Sequence, residues 1–237
     1  MSSTRAFCFV MTILIGCGGG RGSEPTHAPS LSAAVEAARV RMHVRYEAAQ
    51  RIEEFIARSA LVRASVEADS IVQLHDPDAL PVWAPYLEAV SGAARQIELT
   101  GDIVTAARTT AALGQACARC HQATSAHIVF ASVPEPIDDK TVPKMLGHQW
   151  SAARMWEGLI GPSEERWREG AQALTGMPLE LVAAGPRESG TWIADDVPQI
   201  RLYASRALEA KDLDARTQIF GMVLATCAHC HAVIRDR

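Results

Sequence analysis

Two copies of one five-residue pattern, Cys-x-x-Cys-His, constrain this chain more than any other feature of its sequence. The first copy runs from Cys117 to His121 and the second from Cys227 to His231. Residues three apart on a helix share a face, so the two thiols of each copy can bind to the same group. The histidine is the next residue in the sequence. Any fold for this chain has to present two such helical turns.

The pattern is the attachment signature of c-type haem, in which two thiols add to the vinyl groups of one porphyrin and the adjacent histidine is the proximal iron ligand. We therefore predict two covalently attached haem c groups, the first on Cys117 and Cys120 with His121, the second on Cys227 and Cys230 with His231.

Three other uses of the cysteines fit the sequence less well. A structural zinc site would have to join two pairs that lie far apart in the chain, each with its own histidine. A thioredoxin-like redox pair requires a strand followed by a helix, and no such setting is visible. A disulfide within a helical Cys-x-x-Cys turn is strained.

The segments around the two motifs repeat. Residues 48–56 match residues 152–160 at a constant offset of 104. Asp102 and Asp212 precede the two motifs at matching places, where each carboxylate is expected to cap a helix N-terminus. The chain is therefore interpreted as two haem units, residues 31–133 and 142–237, joined by a linker at residues 134–141.

Hydrophobic periodicity within each unit is helical, and no convincing alternation typical of a strand appears. In the first unit we expect helices from about Ser32 to Ala60, on to about Leu74, from Tyr86 to Leu99, and from Asp102 through the motif. The second unit is read similarly, with a loose stretch over residues 177–192. The predicted fold class is all-α, with two tandem four-helix-bundle-like units that each carry Cys-x-x-Cys-His on the last helix.

A four-helix unit with the motif near its end resembles the bacterial cytochrome c-prime and c-556 class, here in a tandem dihaem lipoprotein form. The first helix of each half looks like one that carries a Met-x-x-His-aromatic pattern, with Met145 and His148 in the second half. Arg45 stands in the first half where His148 stands in the second. The resemblance covers most of residues 31–237 and implies a haem within each bundle.

The ligand on the far side of each iron decides its chemistry, because an open iron binds gases and a closed one carries electrons. Helical wheels put Met145 at the centre of an apolar face and Met42 near the edge of one, so these two thioethers are the preferred distal ligands. His148 is the main rival. His43 is a weaker alternative, since it shares a face with charged residues. Methionine on an apolar stripe is also ordinary core filler.

The first sixteen residues predict a signal peptide, in which Arg5 precedes an apolar run that ends in small residues. Residues 14–17 look like a bacterial lipobox, which implies cleavage before Cys17, lipid on that cysteine and a membrane anchor. An ordinary secretory signal is the alternative. Gly18 favours the outer membrane, and residues 17–30 have the composition of a flexible tether.

Charge and hydropathy exclude other classes. The 23 basic and 27 acidic residues give no electrostatic footprint for nucleic acid. No run after the signal reaches the length of a spanning helix.

We predict an exported, lipid-anchored dihaem cytochrome that transfers electrons between periplasmic or membrane-surface redox proteins and is not an enzyme. The alternatives are a gas-binding or haem-based sensor with a five-coordinate iron and, less well supported, a dihaem peroxidase. Four cations are candidates for haem propionates or for a solvated face: Arg41, Arg45, Arg119 and Lys144.

Overall fold

The computed structural model describes residues 30–136, 141–176 and 187–235. Within these ranges, residues 141–145, 187–194 and 234–235 are described by their helical backbone alone, without their side chains. Within these ranges the chain is all-α and contains no β-strand, which confirms the all-α part of the predicted fold class. None of the described helices combines the length and hydropathy that crossing a bilayer requires.

Among the described residues, four helices precede the segment 125–140 and four follow it. The first group is α1 (Leu31–Ala57), α2 (Leu61–Gln73), α3 (Ala84–Leu99) and α4 (Ile103–Thr124), with a short 3-10 turn at Pro81–Trp83 before α3. The second group is α5 (Thr141–Ile160), α6 (Glu164–Gly176), α7 (Arg187–Glu209) and α8 (Leu213–Arg235). We call residues 30–136 the first half and residues 141–235 the second half.

Local signals set most of these boundaries. The carboxylate of Asp102 accepts a hydrogen bond from the amide of Thr105 at 2.8 Å, and Asp212 accepts one from Ala215 at 2.8 Å. Both aspartates therefore satisfy amides that the first helical turn leaves without a partner, as predicted. The helices of the first half begin and end within a few residues of their expected positions.

One expectation about the second half is wrong. The loose stretch was expected to reach Trp192, but α7 begins at Arg187, so residues 187–192 are helical, while 177–186 lie outside the described residues. Helix α7 packs against both α6 and α8. Tertiary packing of this kind supplies most helix stability in proteins, and it outweighs weak local preference.

The two halves share one hydrophobic core. Helices α4 and α8, which carry the motifs, pack against each other more extensively than any other pair from different halves, and α1 and α5 each contact both of them. Fully buried side chains come from both halves, among them Ile52 and Leu113 from the first and Trp156 and Phe220 from the second. The rings of Trp156 and Phe220 stack with centroids 5.4 Å apart.

Contacts along α4 and α8 show that these two helices are antiparallel. Gly221 faces Arg108 and Ala111, whereas Asp214 accepts hydrogen bonds from Gln115 at 2.5 Å and from Arg119 at 3.0 Å. Lower residue numbers on α8 therefore lie beside higher residue numbers on α4. At 1.5 Å per residue, this register separates the two Cys-x-x-Cys-His motifs by roughly 20–30 Å along the helix pair. The motifs lie at opposite ends of the shared core.

Candidate haem-attachment sites

Each motif occupies the last turns of its helix. We call Cys117, Cys120 and His121 on α4 the first site, and the corresponding residues 227, 230 and 231 on α8 the second site. The four cysteines form no disulfide, and each is half-buried. The alanine that follows the first cysteine of each motif is fully buried. The motif turn is thus anchored in the core while its thiols lie at the rim.

Burial raises the pKa of the Cys117 thiol and of the Cys227 thiol to about 12. The neighbouring cysteine adds to the shift at the first site, and Glu53 of α1 adds to it at the second. At neutral pH both groups are therefore thiols. A protonated, half-buried thiol is a poor metal ligand until its proton is removed, because metals bind the thiolate.

His121 is held by a residue of the other half. Its Nδ1 donates a hydrogen bond of 2.8 Å to the backbone oxygen of Ile160, at the end of α5. The last carbonyls of a helix have no intrahelical partner, so this oxygen is available as an acceptor. Burial lowers the pKa of His121, which keeps the imidazole neutral. The proton is on Nδ1, and Nε2 retains its lone pair. Metal-ligating histidines are oriented by a hydrogen bond of this kind.

The second site approaches the corresponding end of α1, but with different chemistry. Ile56 of α1 matches Ile160 of α5 at the offset of 104. Its carbonyl oxygen already accepts a bond of 2.9 Å from the amide of Ser59, which has a φ of 55°. Burial lowers the pKa of His231, and the nearby Arg58 guanidinium lowers it further. Each motif thus lies beside the end of the first helix of the opposite half.

We call α1 and α5, the first helix of each half, the leading helices. The N-terminal part of each leading helix approaches the motif of its own half. On α5, His148 lies near enough to His231 for the two to interact electrostatically, and burial and His231 together lower the pKa of His148 to about 4. Its Nε2 is buried and has no hydrogen-bond partner among the described residues. A buried polar atom without a partner is uncommon in folded proteins and calls for an explanation.

Arg45 takes the matching place on α1, at an offset of 103 from His148. Its guanidinium lowers the pKa of Cys117 and of Cys120 against the effect of burial. Arg45 is itself buried and forms an ion pair with Asp76. The expectation that this cation equally well occupies a solvated face is wrong, because Asp76 in the loop after α2 compensates its charge inside the protein.

The remaining predicted residues divide into three groups. Met42 is half-buried one turn before Arg45, whereas His43 is exposed. Arg41 binds Asp76 at 2.9 Å, and the exposed Arg119 binds Asp214 at 3.0 Å. Three predicted side chains lie outside the described residues: Cys17, Lys144 and Met145.

Sequence reasoning missed the contributions that come from the opposite half and from loops. The acceptor for His121 is a backbone oxygen, and every residue has one, so the residue type at position 160 does not predict this role. Asp76 is an acidic residue in a polar loop, where acidic residues are common. The repeat was a usable signal for one of them. Because residues 52–56 and 156–160 correspond, placing the end of either helix beside a motif would have pointed to the end of the other.

The donor set fits haem c. Each site offers two thiols on one helical turn and an adjacent neutral imidazole, and in the first site Nδ1 is already used by a hydrogen bond. A single zinc site built from both cysteine pairs does not fit, since the pairs lie at opposite ends of α4 and α8. Among the described residues no three side chains of histidine, cysteine, aspartate or glutamate converge as a metal site.

Comparisons of the whole chain with protein-family models, with curated proteins and with solved structures return no match.

Proposed function

We propose that this chain is an exported dihaem c-type cytochrome of the cytochrome c-prime and c-556 type, which transfers electrons between protein partners. The observation that carries the proposal is the hydrogen bond from Nδ1 of His121 to the Ile160 backbone oxygen, 2.8 Å long, at a Cys-x-x-Cys-His turn that occurs twice. A histidine fixed in this way presents Nε2 as the proximal ligand, and thiols on the same turn form the thioether bonds.

In this proposal each half is a four-helix haem unit, and its own residues do three things. Cys117 and Cys120, and the matching pair 227 and 230, hold the porphyrin covalently. His121 and His231 present an imidazole nitrogen from a buried helical turn. When bound, haem supplies an iron that takes up and returns one electron. The shared core keeps the ligand-bearing helices in place, which limits reorganisation in either oxidation state.

The first helix of each half, α1 or α5, would supply any further protein ligand of the iron. Met42 and His43 are the candidates on α1, and Met145 and His148 those on α5. One observation favours gas binding as a second function. Arg45, which cannot coordinate iron at physiological pH, stands beside the first site where the second site has a histidine. Carbon monoxide binding to the ferrous protein tests this, because a first haem without a sixth ligand binds it rapidly.

Export and anchoring belong to the same proposal. Residues 1–16 serve as the signal peptide, Cys17 carries the lipid and residues 17–30 form the tether to an outer-membrane surface. Radiolabelled palmitate added to producing cells should label the wild-type chain. Cys17→Ser should abolish the label and release the chain into the soluble periplasmic fraction. A label that survives this substitution would refute the anchor.

The decisive experiment counts covalent haem. The chain is produced in a bacterium with c-type haem maturation and analysed by intact mass and by the pyridine haemochrome spectrum. We expect two haems that resist acid-acetone extraction. Replacing both cysteines of either site by serine should leave one haem, whereas a control substitution at an exposed histidine, His127→Ala, should keep two. A chain that acquires no haem, or only extractable haem, would refute the proposed function.

A further inference from the structure

We propose that Nε2 of His148 is the second axial ligand of the haem at the second site, which makes that haem bis-histidine and leaves the two haems of the chain chemically unequal. This inference rests on the proposed function, because it requires a haem on Cys227 and Cys230.

The first line of support is the state of the His148 side chain. Its Nε2 is buried without any hydrogen-bond partner in the part of the chain that the structure describes. Buried side-chain polar atoms normally have a hydrogen-bond partner, and this nitrogen, on a half-buried residue, has none among the described residues. An imidazole nitrogen without a hydrogen-bond partner can offer its lone pair to a metal.

The second line of support is position. His148 is on α5 and His231, the proposed proximal ligand, is on α8. These two helices pack against each other, and the two imidazoles interact electrostatically. Its counterpart Arg45 occupies the matching position on α1. The Arg45 guanidinium lowers the pKa of both thiols of the first site. In both halves this turn of the leading helix therefore faces the Cys-x-x-Cys-His motif of its own half.

The difference between the two sites follows from the two side chains. Arg45 is committed to Asp76 and to the carbonyl oxygen of Leu74 at 3.4 Å, and a guanidinium has no lone pair for iron. His148 supplies a nitrogen base at the same place. Met145 precedes His148 by three residues on α5 and would compete for the same iron. The orphaned nitrogen is the observation that favours histidine.

The test compares His148→Ala and His148→Met with Arg45→Ala in the full-length dihaem protein. Ferric EPR and near-infrared spectra report spin state and the sulfur-to-iron band, and ferrous carbon monoxide titration counts open irons. We expect His148→Ala to convert one haem per chain to high spin and to add one carbon monoxide site. Free imidazole should restore the low-spin signal. Arg45→Ala should leave the signal of the second haem unchanged.

His148→Met keeps a ligand in place and so covers the case in which the alanine variant folds poorly. It should stay low-spin and gain a sulfur-to-iron band that the second haem of the wild type lacks. If the wild type carries two haems and neither substitution changes the spectrum of either, the inference is wrong and the dihaem proposal stands. If the wild type carries no covalent haem, the proposed function fails first.

Discussion

Gly114 lies where the two halves press together, and alanine at this position should destabilise the chain. A Cβ on Gly114 would lie 2.5 Å from Cζ3 of Trp156 and 3.0 Å from Cδ2 of Leu159, both from the opposite half. Trp156 and Leu159 are fully buried, and the Trp156 ring is stacked on Phe220. No side chain can therefore withdraw without disturbing its neighbours.

The magnitude follows from two opposing effects. Overpacking a well-packed core costs about 1–3 kcal/mol, and a 2.5 Å approach to a ring places Gly114→Ala near the upper end, at about 3 kcal/mol. Replacing glycine by alanine inside a helix returns about 1 kcal/mol. The free energy of unfolding should fall by about 2 kcal/mol, which lowers Tm by about 4–8 °C for a chain of this size.

Gly92 on α3 supplies the matched control, because a Cβ there meets nothing within 4 Å. Gly92→Ala should therefore show only the effect of the higher helix propensity of alanine, and raise Tm by about 2–4 °C. Both variants are compared with the wild type by thermal denaturation. Equal Tm changes for the two substitutions, or a stabilised Gly114→Ala protein, would refute the shared core between the halves.

Two further predictions concern buried charge. Burial raises the folded-state pKa of Glu53 to about 8, so this carboxyl binds its proton more tightly in the folded than in the unfolded chain, and stability should fall as pH rises from about 4.5 to 8. In denaturant titrations Glu53→Gln should remove that part of the pH dependence, and the control Glu47→Gln, at a side chain 67% exposed, should not. A Glu53→Gln curve parallel to the wild type would contradict this. Asp76→Asn should destabilise the fold by about 3–5 kcal/mol, because it leaves the buried Arg45 guanidinium without its counter-charge. The control Asp78→Asn, at a side chain 52% exposed, should change stability by less than about 1 kcal/mol, and equal effects would show that Arg45 does not depend on Asp76.

Much of this protein could be predicted from local sequence. Helical periodicity gave the all-α class and the approximate bounds of α1 to α4, because an amphipathic helix repeats its apolar residues at a fixed spacing. Asp102 and Asp212 were identified as caps because a cap bonds to amides only three residues away. The cysteine and histidine spacing of the motifs is local in the same sense, so the composition of both candidate sites followed from it.

The tertiary structure decided everything that joins residues far apart in the chain. It brought the Ile160 carbonyl oxygen to His121, gave Arg45 a buried partner in Asp76, and left Nε2 of His148 without one. It also packed α4 antiparallel to α8, which merged two repeats into one core with their motifs at opposite ends. Helical periods and caps depend on neighbours within about one turn and are therefore readable in sequence. A core contact or the burial of a charge depends on which helices meet, and only the folded chain determines that.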